Sequence, residues 1–310
     1  MFQPSQLESS TKISVIVPAR NEEDNIEALL NSLTGQSYPK DLYEIIVVDD
    51  NSTDLTAAKV AQFDFVKLIR LKENSINSYK KKAIEIGIAA ASGKLIVTTD
   101  ADCIVPPNWL LTIENYYKQT NAVFIVAPVD IHCGSSVVQV FQAMDFMVLQ
   151  GITGASVFKK VHSMCNGANL AYERKAFHAV NGFMGIDYIA SGDDMLLMYK
   201  IEKQFSGSIR YLKTREAIVS TQPVKTWKEF FNQRVRWASK ADKYDDKRMF
   251  WVLLVVYLFN LSFIGLLVAG FWSSYYWWLG LSLLVAKTLI EFPFIISLAA
   301  FFNKNYISIS

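Results

Sequence analysis

Asp100 and Asp102 stand two residues apart, divided by Ala101, directly after the apolar and β-branched run Leu95-Ile96-Val97-Thr98-Thr99. Carboxylates so spaced, on backbone leaving a strand, can offer oxygen ligands to Mg2+ or Mn2+ while substrate phosphates complete the shell. Taken alone, such a pair is more often an ordinary acidic turn. Asp49-Asp50 closes a second apolar run, Glu44-Ile45-Ile46-Val47-Val48, and Asp193-Asp194 follows Ser191-Gly192. A carboxylate there can accept from a ribose hydroxyl or a uracil N–H. Two adjacent carboxylates repel, and burial beside a second negative charge raises a pKa, which suits a general base. The bland reading of Asp193-Asp194 is a cap, mainly by Asp193, on the helix that carries Leu196, Leu197 and Ile201.

These groups need a scaffold, and the chain supplies one in a regular rhythm. Ile13-Ser14-Val15-Ile16-Val17-Pro18 reads as a strand stopped by proline, and Ile26, Leu29, Leu30 and Leu33 follow at helical spacing. After Gly35 to Pro39 comes the second strand, then Asn51-Ser52-Thr53-Asp54, where Ser52 or Thr53 can cap a helix running towards Gln62. A third strand is expected over Phe65 to Leu71, and a helix over Tyr79 to Ala91 with Lys80, Lys81 and Lys82 in its first turn. Strand, helix, strand in this order means a right-handed, mostly parallel, Rossmann-like sheet. In such a sheet ligands bind beyond the carboxyl ends of the strands, where the acidic residues lie. No GxGxxG follows the first strand, so a dinucleotide is disfavoured. A nucleoside diphosphate with a divalent cation fits better.

Bulk properties narrow the class. The 310 residues carry a formal net charge of +2, which gives no footing for nucleic-acid binding. Cys103, Cys133 and Cys165 are odd in number and lack CxxC spacing, which fits a reducing compartment. His132, His162 and His178 lack zinc-ligand spacing and read as structural or surface residues. Residues 1–11 lack the apolar core of a signal peptide and are expected to be a frayed, disordered tail. Met249 to Trp272 carries no charge and would span roughly 36 Å as a helix, against a bilayer core of about 30 Å. Tyr275, Tyr276, Trp277 and Trp278 form an aromatic belt before a second apolar run to Phe302. Its Lys287 and Glu291 lie four apart, placed to neutralise each other. Arg234, Arg236, Lys240, Lys243, Lys247 and Arg248 before the first span, and Lys304 after the second, put both ends in the cytoplasm.

Val15-Ile16-Val17-Pro18-Ala19-Arg20-Asn21-Glu22, Val48-Asp49-Asp50-Asn51-Ser52-Thr53-Asp54 and Asp100-Ala101-Asp102, in that order, resemble inverting glycosyltransferase family 2, whose fold is the GT-A type. The resemblance covers roughly Lys12 to Trp237. It implies that Pro18, Arg20, Glu22 and Asp50 line the uridine site and that Asp102, with Asp100, holds the metal. The family often opens the helix before the central strand with Gly-Lys. Here Tyr79-Lys80-Lys81-Lys82 stands in its place and keeps a lysine, Lys80, near the diphosphate. Asn166-Gly167-Ala168-Asn169 resembles the loop between donor and acceptor pockets, and Asp193-Asp194 the family's Glu-Asp motif, with Asp194 matching the catalytic base. Gln233-Arg234-Val235-Arg236-Trp237 is similar to the QxxRW motif of membrane polysaccharide synthases such as cellulose and hyaluronan synthases. That implies donor contacts for Gln233, Arg236 and Trp237, with Trp237 also facing the acceptor beside Asn166, Gly167 and Asp193. Arginine can grip phosphate in a bidentate fork and tryptophan offers a face to a sugar ring.

Two stretches keep two readings. Val123 to Val129 reads as a strand, and the apolar segment after it, to Lys160, suits either a membrane surface or the core. Trp227, Phe230, Phe231 and Trp237 fall close to one helical face, opposed by Lys225, Lys228 and Arg234, as in an interfacial amphipathic helix. The expected organisation is a tail (1–11), a cytoplasmic GT-A domain (12–223), an interfacial segment (224–248), a transmembrane hairpin (249–302) and a cytoplasmic tail (303–310). The expected activity is metal-assisted, inverting transfer from a nucleotide sugar, a UDP-sugar first, to a glycan or lipid-linked acceptor at the cytoplasmic membrane. QxxRW points to chain extension, whereas two spans are too few to enclose a channel. Single transfer to a lipid, a homo-oligomer, or an export partner therefore stays open. A nucleotidyltransferase would want a glycine-rich phosphate loop, which Ala19-Arg20-Asn21-Glu22 is not. An inactive scaffold would lack one of Asp100, Asp102, Asp194, Arg236 or Trp237, and all are present.

Overall fold

The computed structural model describes residues 2, 8–71, 79–132, 134, 136–161, 164–189, 192–238 and 247–304. The chain divides into two compact units, Met1–Lys225 and Thr226–Ser310. In the first unit the strands are β1 (Ile13–Ala19), β2 (Tyr43–Asp49), β3 (Val66–Arg70), β4 (Leu95–Thr98), β5 (Cys103–Ile104), β6 (Phe124–Val126), β7 (Val129–Ile131), β8 (Leu170–Glu173), β9 (Ile209–Tyr211) and β10 (Val219–Thr221). Its helices are α1 (Ile26–Thr34), α2 (Thr56–Val60), α3 (Tyr79–Ala89), α4 (Trp109–Thr120), α5 (Val137–Phe158), α6 (Arg174–Ala179) and α7 (Asp193–Gln204).

Seven strands form one sheet in the order β3-β2-β1-β4-β8-β6-β9, and β5-β10-β7 form a second. β1 pairs parallel with β2 and β4, and β2 parallel with β3, so three consecutive strand–helix–strand passages return to the same edge. The central strands are buried on both faces, as their continuous β-branched runs require. Register aligns Ala19 with Asp49 and Ile16 with Thr98, so Arg20, Asp50 and Asp100 leave the sheet along one edge. β8 enters between β4 and β6 antiparallel to both. The strand expected from Val123 to Val129 is split: Ala127-Pro128 lies between β6 and β7, which join different sheets, because proline cannot donate to a ladder.

The segment after it is α5, opened by a capping box between Ser136 and Gln139. Its Val138, Ala143, Phe146, Met147 and Val157 are buried, so core packing describes that face, while Val137, Phe141, Met144, Ile152 and Phe158 are exposed. Ser52 and Thr53 do not cap α2. Asn21, in the left-handed region, bonds both: its N–H donates to Ser52 Oγ (3.0 Å) and its Oδ1 accepts from the Thr53 N–H (2.8 Å).

Residues 8–11 are not frayed. Glu114, fully buried on α4, accepts from the Ser10 and Thr11 amides at 2.9 and 2.8 Å and pairs with Lys118 at 2.8 Å. Burial alone would raise the Glu114 carboxyl, but these partners outweigh it and hold it below its ordinary range. A carboxylate whose folded pKa is depressed stabilises the fold above its unfolded pKa, and the contribution is lost as pH falls through the folded value. Between pH 7 and pH 4 the urea midpoint of the wild type should therefore fall further than that of Glu114→Gln, whose profile should be flatter.

The second unit holds α8 (Trp227–Ala238), α9 (Lys247–Ala269) and α10 (Ser274–Phe301). Of the two expected spans, one helix among the described residues, α10, is long and apolar enough to cross a membrane. In α9 the apolar stretch among the described residues is Leu254–Ala269. The Lys287–Glu291 pair closes at 2.7 Å, as its spacing implied.

Candidate active site

The site begins where β1 and β2 leave the sheet. Asp50 is buried, and its Oδ2 accepts from Arg20 Nη1 at 3.3 Å. Its Oδ1 is buried without a hydrogen-bond partner among the described residues, an unsatisfied acceptor. Pro18, near the end of β1, faces Val48 in register. Glu22 begins the turn into α1, with its amide on Thr56 Oγ1 (2.8 Å) and its carboxylate accepting from Asn25 Nδ2 (2.8 Å). Burial raises the Glu22 carboxyl; Asn25 opposes the rise, and the charges of Asp102, Asp100 and Asp54 add to it. Glu22 thus shares the field of the Asp-x-Asp pair.

Asp100 and Asp102 occupy the turn after β4, closed by a bond from the Cys103 amide to the Asp100 carbonyl at 3.2 Å. Asp100 Oδ1 accepts from Lys80 Nζ at 2.6 Å. Asp102 Oδ2 accepts from Thr221 Oγ1 at 3.0 Å, and the Cys103 thiol points to Oδ1 at 3.6 Å. Burial, then the Asp100 charge, push the Asp102 carboxyl up against those donors and Lys80. Thr221 reaches Asp102 because β10 pairs antiparallel with β5, matching Thr221 to Cys103.

The third component is the start of α7. Gly192 precedes it at φ +81°, a conformation that suits glycine. Asp194 Oδ2 accepts from the Gly167 amide at 3.1 Å and Oδ1 from the Met195 amide at 2.8 Å. The bond to an amide of the first turn therefore belongs to Asp194, whereas Asp193 lies 3.9 Å from Lys80 Nζ. Gly167 is anchored to the central strand, its carbonyl accepting from Thr98 Oγ1 at 3.0 Å. A Cβ on Gly167 would stand 3.4 Å from Asp193 Oδ2 and 3.5 Å from Lys80 Nζ. The structure therefore brings Lys80, Asp100, Gly167, Asp193 and Asp194 together. Burial alone would lower the Lys80 ammonium, but Asp100 and then Asp193 raise it above its ordinary range, so it stays charged.

The loop before β8 is fixed from below. Asn166 Oδ1 accepts from the Ala168 amide at 3.0 Å. Asn169, wholly buried, donates to the Pro128 and Ala217 carbonyls at 2.7 Å each and accepts from Trp109 Nε1 at 3.0 Å. Asn169→Leu strands two carbonyls and an indole N–H. Unfolding free energy should fall by about 3–5 kcal/mol, measured by denaturant titration.

Gln233, Arg236 and Trp237 stand on α8 in the second unit. Thr226 and Glu229 cap that helix reciprocally, at 3.1 and 3.2 Å. Trp227, Phe230 and Phe231 form one aromatic cluster. Arg234 was expected on the opposite, polar face. Instead its guanidinium lies over Phe230 (4.8 Å) and Trp237 (4.4 Å), since 230, 234 and 237 share one helical stripe. Lys240 and Lys243 lie outside the described residues, as do His162 and Cys133. His132 and His178 are exposed, and Cys103 and Cys165 are buried.

The donor set at Asp100 and Asp102 suits a hard divalent cation: carboxylate oxygens in mutual repulsion, with Glu22 in the same field. Among the described residues no three His, Cys, Asp or Glu side chains form a metal cage. Mg2+ and similar ions are often held by one or two carboxylates plus substrate phosphates, so the pair fits that mode.

Comparison with known proteins sets this geometry in context. A model of glycosyl transferase family 2 matches residues 14–180, more than half of the chain. The probable glycosyltransferase YdaM of Bacillus subtilis (strain 168) is 30% identical over 241 residues, 73% of this chain and 54% of the relative. The chain thus spans about half of that protein's length. Among solved structures, S. aureus TarS 1–349 in complex with UDP-GlcNAc superposes with a TM-score of 0.54 at 22% identity, covering 69% of this chain and 59% of that TarS 1–349 chain. The mannosyltransferase PcManGT from Pyrobaculum calidifontis, in complex with GDP-Man and Mn2+, gives 0.59 at 18% identity, covering 95% of this chain and 87% of its own. The structural likenesses carry the fold: a mixed α/β, mostly parallel sheet with GT-A-like neighbours.

Proposed function

We propose, since the chain belongs to glycosyl transferase family 2, that it moves a sugar from a nucleotide-sugar donor, a UDP-sugar first, to a glycan or lipid-linked acceptor with inversion. The observation that carries this is the convergence of Lys80, Asp100, Asp193 and Asp194 around Gly167, at the strand edge where Asp50 keeps an unpartnered acceptor oxygen. Asp50 Oδ1 would accept a base N–H or ribose hydroxyl of the donor, with Arg20, Glu22 and Pro18 around it. Lys80 would meet the diphosphate. Asp100 and Asp102 would hold a divalent cation, which when bound supplies Lewis-acid stabilisation of the leaving diphosphate. Asp194, held by the Gly167 and Met195 amides, would take the proton from the acceptor hydroxyl as the anomeric bond inverts in one displacement. Asn166, Gly167 and Asp193 would border the acceptor.

The likeness to TarS, solved with UDP-GlcNAc, supports UDP, and PcManGT, solved with GDP-Man and Mn2+, supports the cation. The length and apolarity of α10 support a membrane anchor, with α9 as the second limb of a hairpin and the catalytic unit on the cytoplasmic side. The test is UDP release from a panel of UDP-sugars by the full chain in detergent, with Mn2+ or Mg2+ and then EDTA. Metal-dependent release from one donor is the expected result. No release from any donor, with membrane lipids and oligosaccharides added as acceptors, would overturn the reading.

A further inference from the structure

The first turn of α3 carries a second lysine that the site above does not use. Lys81 is 2% exposed, and burying an ammonium is costly unless its hydrogens are satisfied. Its Nζ donates to the Ile186 carbonyl at 2.9 Å and to the Ile189 carbonyl. Those residues belong to the loop that leads, through Gly192, into Asp193 and Asp194. Two more charged side chains act on the same loop backbone. Glu85, one turn along α3, accepts from the Phe183 amide at 3.3 Å. Lys200, on α7, donates to the Gly182 and Met184 carbonyls at 2.6 and 2.8 Å.

Consecutive helical residues point about 100° apart. One turn of α3 therefore delivers Lys80 to Asp100 and Asp193, and Lys81 to the loop that feeds Asp193 and Asp194. We infer that Lys81 is a positioning residue: by fixing the Ile186–Ile189 backbone it sets where α7 begins and so holds Asp194 against the reacting centre. This rests on the assignment of Asp194 as base. Apart from Lys80, which Asp100 holds at 2.6 Å, the nucleotide contacts of this unit stand at the ends of β1, β2 and β4 and do not depend on that loop. Loss of Lys81 should thus separate turnover from nucleotide affinity, which a merely structural lysine would not do.

The test uses Lys81→Met, which keeps the stem and removes the charge, and Lys81→Gln, which can still donate to one carbonyl. UDP affinity in Mn2+ should stay within about twofold of wild type for both. Release of UDP from the active donor should fall at least tenfold in Lys81→Met and less in Lys81→Gln. Amide exchange at Met195 to Leu197 should quicken at least tenfold in Lys81→Met, with β1 and β4 unchanged. Unaltered turnover, or turnover falling in step with UDP affinity, overturns the inference, as does exchange quickening throughout the sheet. If Lys81→Met does not fold, Lys81→Gln decides by the same criteria. If the wild type releases UDP from no donor, the function proposed above fails, while the exchange comparison still tests the hold of Lys81 on α7.

Discussion

Asp194→Asn is expected to lower turnover by about 10²–10⁴-fold, the range over which a positioned general base acts, with UDP affinity close to wild type. The substitution is nearly isosteric. An asparagine oxygen can still accept from the Gly167 amide, which now meets Asp194 Oδ2 at 3.1 Å, so the loop anchored to Thr98 should stay in place. What disappears is the capacity to take a proton. Asp193→Asn is the matched control. Asp193 lies 3.9 Å from Lys80 and shares its field with Asp100, so its loss should weaken the hold on Lys80 and lower turnover less. Steady-state UDP release and calorimetric UDP binding, measured on both variants, separate the roles. If Asp194→Asn keeps turnover within tenfold of wild type while Asp193→Asn loses it, the base is Asp193.

Much of this arrangement is legible in residue order because parallel strands return to one edge. Val15 to Val17, Ile45 to Val48 and Leu95 to Val97 are apolar runs too short for helices, and the polar residues closing them are forced to the same end of the sheet. Contacts made by strands that enter late are not legible. Thr221 reaches Asp102 only through the β5–β10 pairing, across more than a hundred residues, and neither short strand announces its partner. The antiparallel insertion of β8 is equally silent, since Leu170-Ala171-Tyr172 would suit either direction. Ser52 and Thr53 look like caps, but Asn21 claims both through a left-handed backbone that local propensity does not specify. Two misses did leave a trace. Arg234 stands four residues after Phe230 and three before Trp237, the spacing of one stripe. Lys81 precedes buried Ile84 and Ile88 by three and seven residues, so it falls on the apolar face of α3, an unusual place for a lysine.

Asp102→Asn should abolish the metal-dependent part of UDP binding, a loss of tenfold or more, equivalent to at least about 1.4 kcal/mol. Asp102 is the better ligand of the pair because Asp100 already accepts from Lys80 at 2.6 Å, whereas the partners of Asp102 are the neutral hydroxyl of Thr221 and thiol of Cys103. Neutral donors can orient a carboxylate without neutralising it, so its charge remains for a cation. The same geometry fixes the effect on stability. Burial and the Asp100 charge both disfavour ionised Asp102. Replacing it with a neutral amide in EDTA should therefore leave the melting temperature unchanged or raise it, the opposite of what removal of a structural carboxylate would do. Calorimetry of UDP with Mn2+ and then with EDTA gives the deciding comparison. The wild type in EDTA should bind as weakly as Asp102→Asn does with or without Mn2+. A variant that still gained affinity from Mn2+ would move the principal ligand to Asp100, and Lys80 would then have to leave Asp100 when the cation binds.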